Sequence, residues 1–167
     1  PMTDGEGGVA ALAEKLGPAV VHLVVTSEDG TTPASGVVVR DDGIVYTSAH
    51  EVADATSISV VLADGRHVDG ELVGADLPTD VGLVSIDAGH LTVAVLGSSA
   101  TLTVGAPTVA LGWPTEGGDQ PSVTTGVVSD VEHRLDVPGE SLHGLIQTDA
   151  PIEPAWSGGP LVDANGA

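Results

Sequence analysis

Ser157 lies in the stretch Pro154-Ala155-Trp156-Ser157-Gly158-Gly159-Pro160-Leu161. Two glycines after a serine leave its hydroxyl uncrowded and let backbone N–H groups close around an incoming carbonyl, which is the local chemistry a nucleophilic serine needs. Ser157 to Pro160 also reads as an ordinary turn. A serine hydroxyl is too weak an acid to attack alone near neutral pH. It needs a base to take its proton and a carboxylate to fix that base's tautomer. Candidates for both stand upstream. Thr47-Ser48-Ala49-His50 ends one apolar run, and Thr79-Asp80-Val81-Gly82-Leu83 opens another. Each has a plainer explanation by itself, a structural histidine in one case and a turn cap after Pro78 in the other. His22, His67, His90, His133 and His143 lack such a context and read as structural or solvent-exposed.

These side chains need elements to carry them. Val9, Leu12, Ala13 and Leu16 share one helical face, and Gly17-Pro18 stops that helix. Apolar strands are predicted over Val20–Ser27, Ser35–Arg40, Ile44–Ser48, Ile58–Leu62, His67–Gly74 and Gly82–Ile86. Asp42-Gly43 and Asp64-Gly65 are hairpin signals between them. The six strands read as a small closed barrel. A polar connector, Asp87 to Gly105, leads to strands at Thr108–Gly112, Ser122–Val131, Gly144–Thr148 and Gly159–Val162. Thr115–Gln120 and His133–Ser141 read as loops, the first of them mobile. His50 and Asp80 then sit at strand ends of the first barrel and Ser157 before a strand of the second set. Asp163-Ala164-Asn165-Gly166 is a turn signal, and a returning strand is expected after it.

Composition agrees with an all-β chain. Of 167 residues, 41% are hydrophobic, with no phenylalanine, two tryptophans and one tyrosine. Valine dominates and favours strands. The net charge is −20, with Lys15, Arg40, Arg66 and Arg134 facing 24 acidic side chains. Nucleic acid and anionic lipid both need basic patches, so neither is an expected partner; the acidity reads as a solvated surface. No cysteine is present, which excludes disulfide scaffolds and thiolate metal sites. No His-Glu-x-x-His or calcium loop occurs, and Gly5-Glu6-Gly7-Gly8 lacks the lysine and strand–helix setting of a phosphate loop, so no metal or cofactor is expected.

The order His50, Asp80, Ser157 is that of chymotrypsin-type enzymes; α/β-hydrolases run Ser, Asp, His and subtilisins Asp, His, Ser. From about Val9 onward the chain resembles a trypsin-fold serine protease of the HtrA/Deg type. The resemblance is carried by Ala34-Ser35-Gly36-Val37-Val38-Val39, Leu62-Ala63-Asp64-Gly65-Arg66, Gly74-Ala75-Asp76-Leu77-Pro78-Thr79-Asp80, Leu96-Gly97-Ser98-Ser99, Val104-Gly105 and Ile146-Gln147-Thr148-Asp149-Ala150. It implies two six-stranded antiparallel β-barrels, the second incomplete at the C-terminus, with a short N-terminal helix. The expected organisation is a disordered lead over 1–8, the helix over 9–17, the first barrel over 18–90 and a truncated second barrel over 91–167. It also implies Ser157 as nucleophile, His50 as general base and acid, Asp80 as the orienting carboxylate, and the backbone N–H groups of Ala155 and Ser157 as the oxyanion hole.

The activity so implied is endopeptidase cleavage of unfolded or damaged polypeptides outside the cytoplasm. A homotrimer, a downstream PDZ domain and an N-terminal membrane anchor in a longer parent protein are further implications. Three residues depart from the family pattern. Ala155 replaces glycine at an oxyanion position; it keeps its N–H but resists positive φ. Trp156 adds bulk beside the serine. Glu153 brings a carboxylate towards a site that must stabilise negative charge. These favour a competing reading, a pseudoprotease kept as a binding or regulatory module. An unrelated adhesive β-domain is a third reading.

Overall fold

Alternating valines close the first half of the chain on itself. The computed structural model describes residues 8–115, 118–137 and 140–167. The strands are β1 (Val20–Ser27), β2 (Gly30–Val38), β3 (Ile44–Ser48), β4 (Ser57–Val61), β5 (His67–Asp76) and β6 (Val81–Ile86). They form a closed antiparallel barrel in the order β1-β2-β3-β6-β5-β4, sealed by β1 against β4 with Leu23 opposite Val60. Every second residue points inward: Val21, Leu23 and Val25 from β1, Ile58 and Val60 from β4, Val84 and Ile86 from β6. Each side chain so buried stabilises the fold by roughly 1.5–3 kcal/mol, so a compact interior is filled without aromatic rings. Gly43, with φ 96°, makes the Asp42-Gly43 turn that a side chain would strain.

The second half builds an open sheet, ordered β10-β7-β8-β9, from β7 (Pro107–Gly112), β8 (Ser122–Val137), β9 (Glu140–Thr148) and β10 (Leu161–Val162). The helix α1 (Val9–Leu16) lays Leu12 and Leu16 against Val20, Val109, Leu111, Trp113 and Val162. The fold is the mostly β, two-barrel architecture expected, with the second barrel present as a four-stranded sheet.

The segment His133–Ser141, expected as a loop, is instead strand at its described residues. β8 runs on to Val137 and β9 starts at Glu140, forming a long hairpin. Its register shifts three times between Val128 and Leu135. Both faces of this ribbon are largely solvated, so alternation, the signal that marks a strand in sequence, is absent. Polar cross-links hold it instead: Arg134 Nε donates to Asp136 Oδ1 at 2.8 Å and Ser141 Oγ to the same oxygen at 2.6 Å. The lead expected over 1–8 lies, apart from Gly8, outside the described residues, and so do residues 116–117 of the loop Thr115–Gln120. That loop's ends are tied down, Thr115 to Glu153 and Gln120 Nε2 to the Ala63 carbonyl at 3.3 Å.

β2 explains how the two halves meet. Ala34 and Val38 face the barrel interior, yet Ser35 between them is also wholly buried. It faces the other half of the molecule, and the site is assembled there.

Candidate active site

His50 stands in the short helix α2 (Ala49–Val52), which follows β3 directly. Asp80 is presented by a 3₁₀ turn, Leu77–Thr79, just before β6. β3 and β6 are paired neighbours, Ser48 opposite Val81, so both side chains emerge at one barrel end. Asp80 sits in the left-handed region, φ 53° and ψ 38°, a conformation aspartate tolerates better than most residues. That bend lets its carbonyl accept the Ala49 N–H at 3.2 Å and its Oδ1 accept the His50 N–H at 2.9 Å. The His50 backbone is therefore pinned before its ring is.

The ring is held next. His50 Nδ1 lies 2.9 Å from both carboxylate oxygens of Asp80. An ionised carboxylate only accepts, so Nδ1 carries the proton and Nε2 is left facing the groove. There the Ser157 Oγ lies 3.3 Å from Nε2. The structure thus brings together His50, Asp80 and Ser157, which are far apart in sequence. Burial by itself would lower the His50 pKa; the hydrogen bond and charge of Asp80, with the carboxylate of Glu51 beside it, reverse this and raise it.

Ser157 is positioned from across the groove by a buried polar knot centred on Ser35. The Ser35 N–H donates to the Ser157 carbonyl at 2.9 Å. Its hydroxyl donates to the Ala155 carbonyl at 2.9 Å and accepts the Trp113 N–H at 2.9 Å. Thr47 Oγ1 in turn donates to the Ser35 carbonyl at 2.8 Å. Gly158 passes through this knot with φ 83°, and a Cβ there would fall 2.3 Å from Thr47 Oγ1 and 2.4 Å from the Ser35 carbonyl oxygen. The glycine after the serine is thus required by packing as well as by backbone conformation. The sequence contains Ser35 only as a small residue in an apolar strand. Its burial at a position where alternation points it out of the barrel is the one signal of its role, and that appears only once the second sheet is in place.

The residues expected to form the oxyanion hole lie in a 3₁₀ turn, Pro154–Trp156. The Ser157 N–H donates to the Pro154 carbonyl at 3.1 Å, so that donor is engaged within the turn in this structure. The bulk of Trp156 is turned inward, away from the solvent. The side chain is 5% exposed and packs with Ala110 and Ala150 over Gly112, where a Cβ would come 2.3 Å from the Trp156 Cγ. Its Nε1 is buried with no hydrogen-bond partner among the described residues. The Glu153 carboxylate is drawn to Thr115, whose N–H and Oγ1 both lie 3.4 Å from Oε2.

Among the described residues no other histidine hydrogen-bonds to His50, Asp80 or Ser157. His22 stacks on Trp113 with ring centroids 5.6 Å apart, and His133 pairs with Asp130 at 3.3 Å. A cavity of about 690 Å³ is lined by residues including Leu102, Pro107, Ile146, Leu161 and Ala167, and by none of His50, Asp80 or Ser157. Among the described residues no group of three or more His, Cys, Asp or Glu is placed to hold a metal ion.

Residues 34–167 match the family described as "Trypsin-like peptidase domain". A Halomonas elongata protein named "Probable periplasmic serine endoprotease DegP-like" is 41% identical over 140 residues, covering 84% of this chain and 29% of that protein. The Danio rerio "Serine protease HTRA1B" is 39% identical over 167 residues, covering 95% of this chain and 35% of that one. Among solved structures, "HtrA-type protease AlgW with tripeptide" superposes with a TM-score of 0.86 at 35% identity, covering 95% of this chain and 52% of that one. The chain therefore spans about a third of the length of these curated relatives.

Proposed function

The chain belongs to the trypsin-like peptidase family with HtrA- and DegP-type relatives, and on that premise we propose that it is a serine endopeptidase in which Ser157, His50 and Asp80 form the catalytic triad. The observation that carries the assignment is the continuous path Ser157 Oγ–His50 Nε2 at 3.3 Å and His50 Nδ1–Asp80 at 2.9 Å.

Ser157 Oγ attacks the carbonyl carbon of a peptide bond while His50 Nε2 takes its proton. Asp80 stabilises the imidazolium so formed without itself becoming protonated. The tetrahedral intermediate collapses as the C–N bond breaks, and Nε2 returns the proton to the departing amine. Water, deprotonated by the same nitrogen, then releases the acyl group and regenerates the serine. The oxyanion needs N–H donors, which we assign to Ala155 and Ser157. For the Ser157 N–H to serve, the turn Pro154–Trp156 must release it from the Pro154 carbonyl. Losing one such donor costs roughly 10²–10³ in rate.

The substrates of this reading are unfolded or damaged polypeptides, encountered outside the cytoplasm as the name of the Halomonas relative indicates for that protein. A homotrimer, a PDZ domain and a membrane anchor belong to the same reading as features of a longer parent protein. A fluorophosphonate probe should label Ser157 and fail to label Ser157→Ala. The engaged Ser157 N–H favours the second reading, a catalytically impaired binding module; folded protein with an accessible groove and no labelling would select it.

A further inference from the structure

Glu51 follows His50 on α2, and its carboxylate turns back onto the same ring. Oε1 lies 3.2 Å from His50 Nε2, against 3.3 Å for the Ser157 Oγ. Asp80 occupies Nδ1. The imidazole is therefore bracketed by carboxylates at both nitrogens, and the serine shares one of them.

The protonation states decide what this bracket does. A neutral ring with its Nδ1–H aimed at Asp80 presents only a lone pair at Nε2. An ionised Glu51 has no proton to give, and two lone pairs repel. The contact is attractive only when Nε2 carries a proton, which makes the ring a cation. A cationic His50 cannot take a proton from Ser157. Resting on the assignment of His50 as general base, we propose that Glu51 is a positioning residue that competes with Ser157 for His50 Nε2, holding the ring as a cation between two carboxylates until deprotonation frees Nε2 for the serine.

The surroundings leave the pair to act alone. α2 packs against β3, β5, β6 and the turn Leu77–Thr79. The carboxylates acting on the ring are those of Asp80 and Glu51. Asp76, at the end of β5, is engaged by Thr79 Oγ1. Among the described residues, Tyr46 on β3 and His67, Asp69 and Glu71 on β5 make no hydrogen bond or ion pair with the ring. The Glu51 side chain is 17% exposed, against 57% for His50, so one partner of the contact is shielded from water. The raised pKa of His50 agrees with the geometry.

Glu51 acts in both directions. Before attack it holds back the base. After proton transfer it stabilises the imidazolium that catalysis creates. Removing it should speed the reaction at low pH and leave it no faster at high pH, which a merely structural residue would not do.

The test is a side-chain NMR titration of His50 in the histidine-labelled chain, in wild type, Glu51→Gln, Glu51→Ala and Ser157→Ala, paired with fluorophosphonate labelling across pH. The wild-type midpoint should lie above that of an ordinary histidine, and both Glu51 variants should lower it. Below the wild-type midpoint their labelling should be faster by about two- to fivefold, the range an ion pair of this exposure commands. A wild-type midpoint at or below the ordinary value overturns the proposal without recourse to any variant. So does an unchanged midpoint in a folded Glu51 variant. A lowered midpoint with no labelling of Ser157 at any pH would keep the Glu51–His50 pairing and overturn the peptidase reading instead.

Discussion

The Ser35 hydroxyl donates to the Ala155 carbonyl at 2.9 Å across a sequence separation of 120 residues, and it does so where no water reaches. Through that bond a strand of the first barrel fixes the loop that carries Ser157. The same oxygen accepts the Trp113 N–H, so one hydroxyl satisfies two backbone groups of the second half.

Ser35→Ala is therefore expected to leave a carbonyl and an N–H unpaired in the interior. Each such group costs about 1–3 kcal/mol, so the substitution should lower the urea unfolding midpoint and slow fluorophosphonate labelling of Ser157. Ser35→Thr should restore part of the midpoint if its hydroxyl reaches the same partners. An alanine variant as stable and as reactive as wild type would show that the knot positions nothing.

Trp156 tests the packing of the turn beneath the serine. Its ring fills the space over Gly112, but its Nε1 has no partner among the described residues. Trp156→Phe removes the unsatisfied donor and retains most of the ring, so thermal or urea unfolding should change by less than about 1.5 kcal/mol. Trp156→Ala should cost about 3–5 kcal/mol through the cavity it leaves. Equal losses in the two variants would mean that the indole N–H is satisfied after all.

Two histidines give stability opposite pH dependences. The His50 pKa is raised in the fold, so its contribution is complete below the unfolded value of about 6.5 and is lost as pH climbs through the folded value. Burial, with the charge of His67, lowers that of His22, so the unfolded chain binds a proton that the folded chain refuses and stability falls as pH drops below about 6.5. Urea midpoints between about pH 5 and 9 should show both limbs. His22→Phe, which keeps a ring against Trp113, should flatten the acid limb, and His50→Gln the alkaline one. An acid limb that survives His22→Phe would assign the loss to other groups.

Much of the site was legible before any fold was considered. Ser157 announced itself by the glycines after it, and His50 and Asp80 by their places at the ends of apolar runs. The barrel strands were legible because one face of each is buried and valines mark that face. The ribbon Ser122–Thr148 was only partly legible, because a strand solvated on both faces has no pattern to read. Glu51 was invisible as a partner of His50 although it is the next residue. Side chains one apart on a helix do not normally face each other, and only the folded structure shows Glu51 Oε1 within 3.2 Å of Nε2.

The sequence by itself determined which residue types were on hand and where the chain must turn, since these follow from local chemistry and from period-two burial. Tertiary structure alone decided which nitrogen of His50 meets which carboxylate, whether the Ser157 N–H is free, and what a buried serine on β2 is for. Asp80 reaches His50 only once β3 and β6 pair, and Ser35 reaches Ala155 only once the two halves close on each other; hydrogen bonds of about 3 Å have no signature in the order of residues.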